Sequence, residues 1–235
     1  IPEEQDKLIT YLEFLLKDGR ELKEIWLTHQ HKDHIGAVQR VRQHFQCPVA
    51  AHPLTAESLA GEIEIDRFIH DQDEYSLRIS GNIQATWKAI HTPGHARGHL
   101  CFFEETHGTL ISGDHILGLG TVLIAPPEGN MHDYMESLKK LLKLPLNFMF
   151  PAHGPPIADS HGKINEYIHH RTKREESILS TLSQNRRPAE IVPLVYTELD
   201  PKIYPLAEIN VRAHLEKLVA EKRIKQTNDL YQQIQ

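Results

Sequence analysis

Four side chains that can bind a metal ion lie within six consecutive residues of this sequence. They are His29, His31, Asp33 and His34. Imidazole and carboxylate are the ligands that zinc prefers where no thiolate is offered. Their spacing lets the side chains diverge toward two metal ions instead of crowding one. The alternative is a polar turn in which Asp33 caps a helix, but a solvated loop seldom carries so many ligands.

Three more candidate ligands lie farther along the chain, each just after an apolar run that predicts a strand. His95 ends the motif HTPGH, Asp114 ends SGD, and His153 lies in PAHG. Each of them alone would fit an ordinary turn. Ligand sites of α/β folds collect in the loops at strand ends, so we expect all three to join the first motif. His99 and His115 are candidates for supporting contacts, although a structural or solvated histidine is the commoner case.

The candidate ligands, five His and two Asp, predict a two-metal cluster, with zinc as the metal and manganese or iron as alternatives. Two cations about 4 Å apart can share a hydroxide and lower its pKa toward neutrality, which supplies a nucleophile. They can also polarise a carbonyl or phosphoryl oxygen. Asp33 is placed to hold or accept the hydroxide proton, which makes it a candidate catalytic residue. The ligand set thus predicts a hydrolase but leaves open which bond it cuts.

Strands and helices alternate along the part of the chain that carries these ligands. Apolar runs and period-two alternation predict strands, and apolar residues at helical spacing predict helices. The predicted strands are 24–28, 49–51, 83–89, 100–103, 109–112 and 146–150. The predicted helices are 8–16, 35–45 and 134–143, and Gly19 is expected to end the first. This order predicts an α/β fold.

Residues 165–235 differ from residues 1–164 in their predicted elements and in their net charge. Short amphipathic helices are predicted at 174–182, 189–196 and 206–219, followed by a strand pair within 223–234. Residues 1–164 carry 15 Lys+Arg against 22 Asp+Glu, a balance of −7, whereas residues 165–235 carry 11 against 10, or +1. Three helices with a small strand pair resemble a winged-helix domain. The sequence therefore predicts a catalytic domain at 1–164 and a winged-helix-like domain at 165–235.

The motifs HQHKDH, HTPGH, SGD and PAHGP, in this order, resemble the metallo-β-lactamase superfamily. The resemblance implies an αββα sandwich with the metals at one edge of the paired sheets. It also implies a division of the ligands into one metal held by His29, His31 and His95, a second held by Asp33, His34 and His153, and Asp114 as the bridge. A bridging Asp114 is the second expected catalytic residue, and it disfavours a penicillin-destroying enzyme.

A closer similarity lies in SGDHILGLG at 112–120, in the helix at 134–142 and in the tail. These segments resemble the β-lactamase-like protein 2 group, which combines this catalytic domain with a C-terminal winged helix. That group includes an endoribonuclease acting on single-stranded RNA. In the superfamily a leading hairpin and a further strand precede the first helix, whereas this sequence starts at that helix. We therefore expect either further residues upstream or an incomplete sheet.

Three functions fit these observations. The first is cleavage of single-stranded RNA, because the tail offers cations for phosphate contacts. Those cations are Arg171, Lys173, Arg174, Arg186, Arg187, Lys222, Arg223 and Lys225. Against it, the catalytic half is acidic, and an ordinary solvated face explains the cations equally well. The second is a glyoxalase II-like thioesterase or other small-ester hydrolase, whose family has a different tail. The third, a non-catalytic winged-helix nucleic-acid binder, is disfavoured by the intact ligand set.

The composition is that of an ordinary soluble protein. Hydrophobic residues make up 40% and charged residues 25%, and no apolar run approaches the roughly eighteen residues of a membrane span. Cys47 and Cys101 form no CxxC pair, which argues against a disulfide framework and against a thiolate zinc site. We therefore expect a cytoplasmic protein that does not enter a membrane.

Overall fold

The computed structural model describes residues 2–17, 19–79 and 83–234. The α-helices are α1 (Pro2–Leu16), α2 (Lys32–Ile35), α3 (Val38–Phe45), α4 (Pro53–Ser58), α5 (Met131–Leu141), α6 (Ser160–Thr181), α7 (Pro188–Val195) and α8 (Tyr204–Ala220). The β-strands are β1 (Ile25–Trp26), β2 (Val49–Ala51), β3 (Arg67–Phe68), β4 (Glu74–Ile79), β5 (Ile83–His91), β6 (Leu100–Glu104), β7 (Thr109–Gly113), β8 (Phe148–Pro151), β9 (Ile224–Thr227) and β10 (Leu230–Gln233). A short 3₁₀ turn, Pro201–Ile203, leads into α8.

Two sheets lie face to face in the part of the chain that carries the candidate ligands. Strands β4 to β8 lie in sequence order in one sheet, antiparallel as far as β7 and parallel between β7 and β8. Strands β1, β2 and β3 form the second sheet, which is parallel. The sheets pack through Trp26 and Phe102, whose ring centroids lie 5.2 Å apart, with Ala50 and Ala89 buried beside them.

Helices cover the outer faces of both sheets. Tyr134 and Leu138 of α5 pack on Ile90 of β5, which alternates with Ala89 and so faces the other side of its strand. On the opposite side of the molecule, Val38 of α3 packs with Val49 of β2. Each such fully buried aliphatic side chain contributes about 1.5–3 kcal/mol to stability. The layers are therefore helix, sheet, sheet, helix, as the predicted αββα sandwich requires.

Some elements differ from those predicted. The helix expected over 35–45 is two helices, α2 and α3, and Gly36, a poor helix former, lies at the break. Helix α5 begins earlier than position 134 because the Asn130 side chain accepts a hydrogen bond from the Asp133 N–H and caps the helix. Helix α4 and strands β3 and β4 have no counterpart in the prediction, since their short segments carry weak periodicity.

One long helix connects the catalytic part to the tail. The helix expected over 174–182 is the second half of α6, which starts at Ser160 where the Asp159 side chain accepts from the Gly162 N–H. Ile164 and Tyr167 in its first half pack in the core beside α5, whereas Ile178 packs among the tail helices. The predicted boundary between residues 164 and 165 lies inside this helix, and the division into 1–164 and 165–235 stays a prediction.

The tail has its own core. Helices α6, α7 and α8 pack around buried Ile191, Val211 and Leu215. Strands β9 and β10 pair antiparallel, and Tyr231 of β10 packs in the same core. This is the expected arrangement of three helices and a small strand pair. Among the residues that the structure describes, no helix is both long enough and apolar enough to cross a membrane.

Candidate metal centre

All seven candidate ligands follow strand ends at one edge of the paired sheets. His29 lies just beyond β1, and His31, Asp33 and His34 lie at the start of α2. The remaining three follow three strands of the larger sheet, namely His95 after β5, Asp114 after β7 and His153 after β8. Their candidate donor atoms form two groups, within each of which all atoms lie within 4.8 Å of one another. The structure thus brings together every ligand that the sequence predicts.

The first group consists of three imidazoles. His29 Nε2 lies 3.0 Å from His31 Nδ1, and His95 Nε2 lies 2.9 Å from the same atom. His95 Nδ1 lies 2.8 Å from the Leu123 carbonyl oxygen, and only a protonated nitrogen can donate there. This contact leaves the lone pair of His95 Nε2 free to bind a metal ion. Thr28 Oγ1 lies 3.1 Å from His29 Nδ1, and this contact helps to orient the His29 ring.

The second group combines two imidazoles with two carboxylates. His153 Nε2 lies 3.2 Å from Asp33 Oδ2 and 3.4 Å from Asp114 Oδ1. His34 Nε2 lies 3.4 Å from the same Asp114 oxygen. The other oxygen of that carboxylate, Oδ2, lies 3.8 Å from His95 Nε2 in the first group. Asp114 therefore directs one oxygen toward each group, which is the arrangement of a bridging ligand.

The charges and the unmatched polar atoms of the cluster fit divalent metal ions. His34 Nε2 and Asp114 Oδ1 are buried and make no hydrogen bond among the described residues. Such groups are costly to bury unless a further partner binds them. Burial and the neighbouring imidazoles lower the pKa of His29 to about 2, and burial also lowers the pKa of His95. Neutral imidazole with a lone pair is the form that binds zinc.

The carboxylate between the two groups is ionised. Burial by itself raises the pKa of Asp114, but the facing His34 imidazole and the nearby His29 and His153 outweigh it and lower the pKa. The five imidazoles and two carboxylates together form a donor set for two ions. The cluster is therefore able to hold a dinuclear metal centre.

His99 holds the backbone that carries Asp114. This fully buried imidazole accepts a hydrogen bond from the Asp114 N–H at 3.1 Å, and its other nitrogen lies 2.9 Å from Thr92 Oγ1. Burial lowers the pKa of His99 well below its usual value, so the ring stays a neutral acceptor. His115 is also fully buried, but its two nitrogens make no hydrogen bond within the described residues, and its ring packs 4.7 Å from that of Tyr134. Of the two supporting candidates, His99 is the one whose ring makes a hydrogen bond to a ligand residue among the described residues.

Two glycines allow the ligand turns to approach their neighbours. Gly113 has φ +50°, and a Cβ there would lie 2.7 Å from His99 Nε2. Gly94 has φ +137°, and a Cβ there would overlap the Tyr134 Cα. Side chains fit neither position, since the first approaches the ring that holds Asp114 and the second approaches α5. These glycines therefore fix the positions of Asp114 and His95.

The sequence also predicts that the tail packs beside the active site, but it does not indicate which tail residues make the contacts. Asn210 of α8 accepts a hydrogen bond from the Ile124 N–H at 3.2 Å, and Arg171 of α6 donates to the Val122 carbonyl oxygen. Both contacts hold the segment whose Leu123 carbonyl accepts from His95. These residues are 28 to 86 positions apart in sequence, and their types carry no signal of such a contact.

Comparison with known proteins identifies the family. Residues 2–153, which include all seven candidate ligands, match the Metallo-beta-lactamase superfamily. The chain belongs to this superfamily. Residues 188–232 match the Beta-lactamase associated winged helix domain, which agrees with the helices and strand pair of the tail. Both matches confirm the resemblance inferred from the motifs.

Related proteins align with most of this chain. A Beta-lactamase-like protein 2 homolog of Drosophila melanogaster is 32% identical over 224 residues, which cover 90% of this chain and 73% of that protein. The Beta-lactamase-like protein 2 homolog of Caenorhabditis elegans is 30% identical over 208 residues, covering 87% of this chain and 67% of that protein. The closer similarity inferred from residues 112–120 and the tail is thereby confirmed.

Solved structures agree with this assignment. A metallo-beta-lactamase family protein from Thermus thermophilus superposes with a TM-score of 0.70 at 23% identity, covering 91% of this chain and 80% of that chain, and it shows the shared fold. The protein TTHA1623, solved in a di-iron-bound form, matches with a TM-score of 0.51 at 28% identity over 63% of this chain and 78% of that chain. The chain is thus a hydrolase of the metallo-beta-lactamase superfamily with a cluster able to hold two metals.

Proposed function

We propose that this hydrolase is a zinc-dependent phosphodiesterase that cleaves single-stranded RNA. The observation that carries the proposal is the contact between tail and centre. Asn210 and Arg171 of the tail helices bind the segment that orients His95. A winged-helix domain, a type of module that binds nucleic acids, therefore lies directly beside the candidate ligands. A strand bound by the tail would thus be held close to the cluster.

The residues of the cluster suit hydrolysis of an ester. Two bound divalent ions would supply an activated water and a Lewis acid for the phosphoryl oxygen. The first group of imidazoles would hold one of them, and the second group the other, with Asp114 between. The Asp33 side chain is 58% exposed, so it lies on the open side of the cluster, where a substrate would enter. Asp33 would accept the proton of the attacking water at its carboxylate.

The exposed cations of the tail are the expected phosphate contacts. Arg187, Lys222 and Lys225 are exposed, and their side chains are free to contact a nucleic acid backbone. Arg223 differs, because it pairs with Glu175 at 2.5 Å. Arg171 is only 7% exposed and holds the Val122 carbonyl, so it cannot serve as a surface contact. The basic series of the tail thus divides into exposed cations and cations held within the fold.

One observation favours the alternative of a thioesterase or other small-ester hydrolase. Residues 1–164 carry a net charge of −7, which repels a polyanion and leaves a small substrate unaffected. The expected cytoplasmic location does not distinguish the two substrates. Cys47 and Cys101 are free and buried, as a reducing compartment allows.

A side-by-side assay tests the proposal. The zinc-loaded chain is incubated with single-stranded RNA, with the same RNA as a duplex, and with a glutathione thioester. We expect cleavage of the single strand that is lost in the Asp114→Asn variant, with little cleavage of the duplex. Rapid thioester turnover without RNA cleavage would assign the chain to the small-ester hydrolases. RNA binding without cleavage of any substrate would instead indicate a non-catalytic nucleic-acid binder.

A further inference from the structure

A cavity of about 360 Å³ lies at the junction of the catalytic part and the tail. Basic side chains from one face of α6, His170, Arg171, Lys173 and Arg174, line much of it. The opposite wall includes Asn210 of α8, and Thr121 lies at one edge. Among the described residues, no Asp or Glu lines this cavity. The cavity is therefore positively charged and lies in a chain whose net charge is −6.

Arg171 is a buried cation without a matching carboxylate. It is 7% exposed, and it donates to the Val122 carbonyl oxygen at 2.5 Å and to Asn210 Oδ1 at 3.5 Å. Its Nε makes no hydrogen bond within the described part of the chain, and no ion pair joins its guanidinium to a described carboxylate. A buried charge is costly unless it is paired. An anion in the cavity would supply the pairing that the protein itself does not.

Arg174 is held in place next to it. Its guanidinium donates to the Val195 carbonyl oxygen and lies 3.8 Å from the centre of the Tyr196 ring. Both contacts fix the plane of the guanidinium, while neither neutralises it. Lys173, on the same helix, is exposed and able to reach a ligand from the rim. Two positioned guanidiniums with a lysine at the rim form a site of defined shape.

We propose that this cavity binds a phosphoryl oxyanion. Arginine presents its donors in a planar fork that matches the geometry of phosphate, and burial strengthens such charge-assisted hydrogen bonds. The hydroxyls of Thr121 and Ser177 also line the cavity and are suited to further phosphate or ribose contacts. The phosphate comes from a bound RNA strand or from a free nucleotide. The first source rests on the proposed function, whereas the second does not.

The position of the cavity gives such binding a consequence for the cluster. Thr121 lies two residues before Leu123, whose carbonyl accepts from His95, and Arg171 binds Val122 between them. Phosphate in the cavity would therefore contact Arg171, the residue that holds Val122 next to the His95 partner Leu123. A strand held there would lie beside the segment that leads to the cluster.

Binding to the full-length chain tests the proposal without any requirement for cleavage. The probes are inorganic phosphate, AMP and a fluorescein-labelled single-stranded RNA decamer, each titrated against the zinc-loaded chain and against a chelator-treated sample. The chelator-treated sample excludes phosphate bound by the metal centre. The variants are Lys173→Glu, which changes an exposed side chain, and Arg174→Gln. Lys143→Glu is the matched control, because it makes the same charge change at an exposed lysine that lies outside the cavity and outside the proposed phosphate contacts.

We expect AMP to bind the chelator-treated wild type and to bind both cavity variants about tenfold or more weakly, the effect of losing a charged hydrogen bond. Lys143→Glu should change AMP affinity less than twofold. If the source is RNA, each lost phosphate contact should also reduce the slope of log K against log salt by about 0.7. If only phosphate and AMP show the effect, the site serves a free nucleotide.

The proposal is overturned if none of the probes binds the chelator-treated chain, or if Lys173→Glu and Arg174→Gln bind all of them as the wild type does. Circular dichroism and the melting temperature establish that each variant is folded. Normal RNA cleavage by both cavity variants with unchanged binding would reject this site while leaving the proposed function intact. Nucleotide binding without RNA cleavage would support this site while rejecting the proposed function.

Discussion

Asp114 is the residue on which both halves of the candidate metal centre depend. One of its oxygens faces His34 and His153, and the other faces His95. A single carboxylate in this position neutralises part of the charge of two dications at once. The other six ligands each belong to one group. Loss of Asp114 should therefore affect both metals, whereas loss of any other ligand should weaken one of them first.

We predict that Asp114→Asn lowers hydrolytic activity about 10²- to 10³-fold, the range for removal of an electrostatic group that stabilises a transition state. The free energy of unfolding of the metal-free protein should change by less than about 2 kcal/mol, because burial of this carboxylate is unfavourable by itself. Initial rates, metal content by elemental analysis and urea denaturation measure the three quantities. Asp133→Asn, an exposed control in α5, should leave all of them unchanged. Equal losses of activity and stability would show that Asp114 is structural.

The ligands could be predicted from the sequence, whereas their supporting contacts could not. Four ligands lie within six residues, and a solvated loop seldom reaches that density. Assigning each ligand to one of two groups required the family resemblance. The contacts of His95 with Leu123 and of His99 with the Asp114 backbone join residues 28 and 15 positions apart. Such contacts follow from how loops pack, and residue type alone does not encode them.

The end of β7 sets the position of Asp114 at the scale of elements. The pairing of β7 with β8 shifts its register between Ile111 and Gly113, and a bulge of this kind redirects the chain that follows. His99 then accepts from the Asp114 N–H. The strand, the bulge and the buried His99 imidazole together restrict the position of the Asp114 backbone. The glycine in this turn therefore contributes to the position of the ligand.

We predict that Gly113→Ala destabilises the protein by at least about 1 kcal/mol more than Gly120→Ala, because it adds overpacking to backbone strain. Both glycines have positive φ, +50° and +74°, but only the first would place a Cβ against His99, at 2.7 Å. Chemical denaturation of both variants gives the difference. Activity should fall only in the Gly113 variant. Equal destabilisation by the two changes would show that the His99 ring moves aside for the added Cβ without a cost in stability.

Glu175 of α6 lies against His214 and Lys217 of α8. Burial by itself raises the pKa of Glu175, but contacts with His214 and Lys217 outweigh it and lower the pKa to about 2. A carboxyl group whose pKa is lowered by folding stabilises the protein above its unfolded pKa of 4.5, and this contribution is lost as pH falls from 4.5 toward 2. Between pH 4.5 and 2, we expect the free energy of unfolding of the wild type to fall by at most about 3 kcal/mol relative to that of Glu175→Gln. Melting temperatures of both proteins as a function of pH measure it, and parallel curves would contradict the prediction.

Element prediction succeeded where the apolar pattern was long and failed where it was brief or interrupted. Strand β5 and helix α8 have clear periodicity, and both lie close to their predicted positions. The first half of α6 was missed because polar residues dominate it, and its apolar face becomes evident only where Ile164 and Tyr167 pack against the catalytic core. Tertiary packing, and not local propensity, extends this helix.

In the whole molecule, the tail and the metal centre form one connected structure. Asn210 accepts from the Ile124 N–H and lies 3.5 Å from Arg171, which donates to Val122. The segment between these contacts carries the carbonyl that orients His95. The tail thus contributes to the geometry of the centre. Changes at this junction should alter catalysis without touching a ligand.

We predict that Asn210→Leu lowers kcat about 10- to 100-fold, the range for partners that orient metal ligands, because the Ile124 N–H loses its acceptor. Asn210→Asp keeps an oxygen acceptor in the same position and should retain most of the activity. Steady-state rates on single-stranded RNA and on a small phosphodiester measure the effect, which should appear on both substrates. A loss confined to RNA would indicate that Asn210 contacts the substrate instead of supporting the centre.

The salt dependence of cleavage should test whether the tail cations contact the RNA phosphates. If Arg187, Lys222 and Lys225 contact phosphates, RNA cleavage at subsaturating substrate should fall steeply between about 50 and 200 mM salt. Cleavage of a small neutral ester by the same enzyme should be nearly constant, since it needs no phosphate contacts. Charge reversal at these three exposed residues should reduce RNA cleavage alone. Identical salt profiles for both substrates would remove the tail cations from substrate binding.

The seven ligands should hold two metal ions on either side of Asp114. Anomalous diffraction from crystals of the zinc-loaded chain, recorded on both sides of the zinc absorption edge, tests this arrangement most directly. We expect two peaks per chain, about 4 Å apart. One should lie among His29, His31 and His95, and the other among Asp33, His34 and His153. A single peak, or two peaks that Asp114 does not join, would contradict a dinuclear centre bridged by this carboxylate.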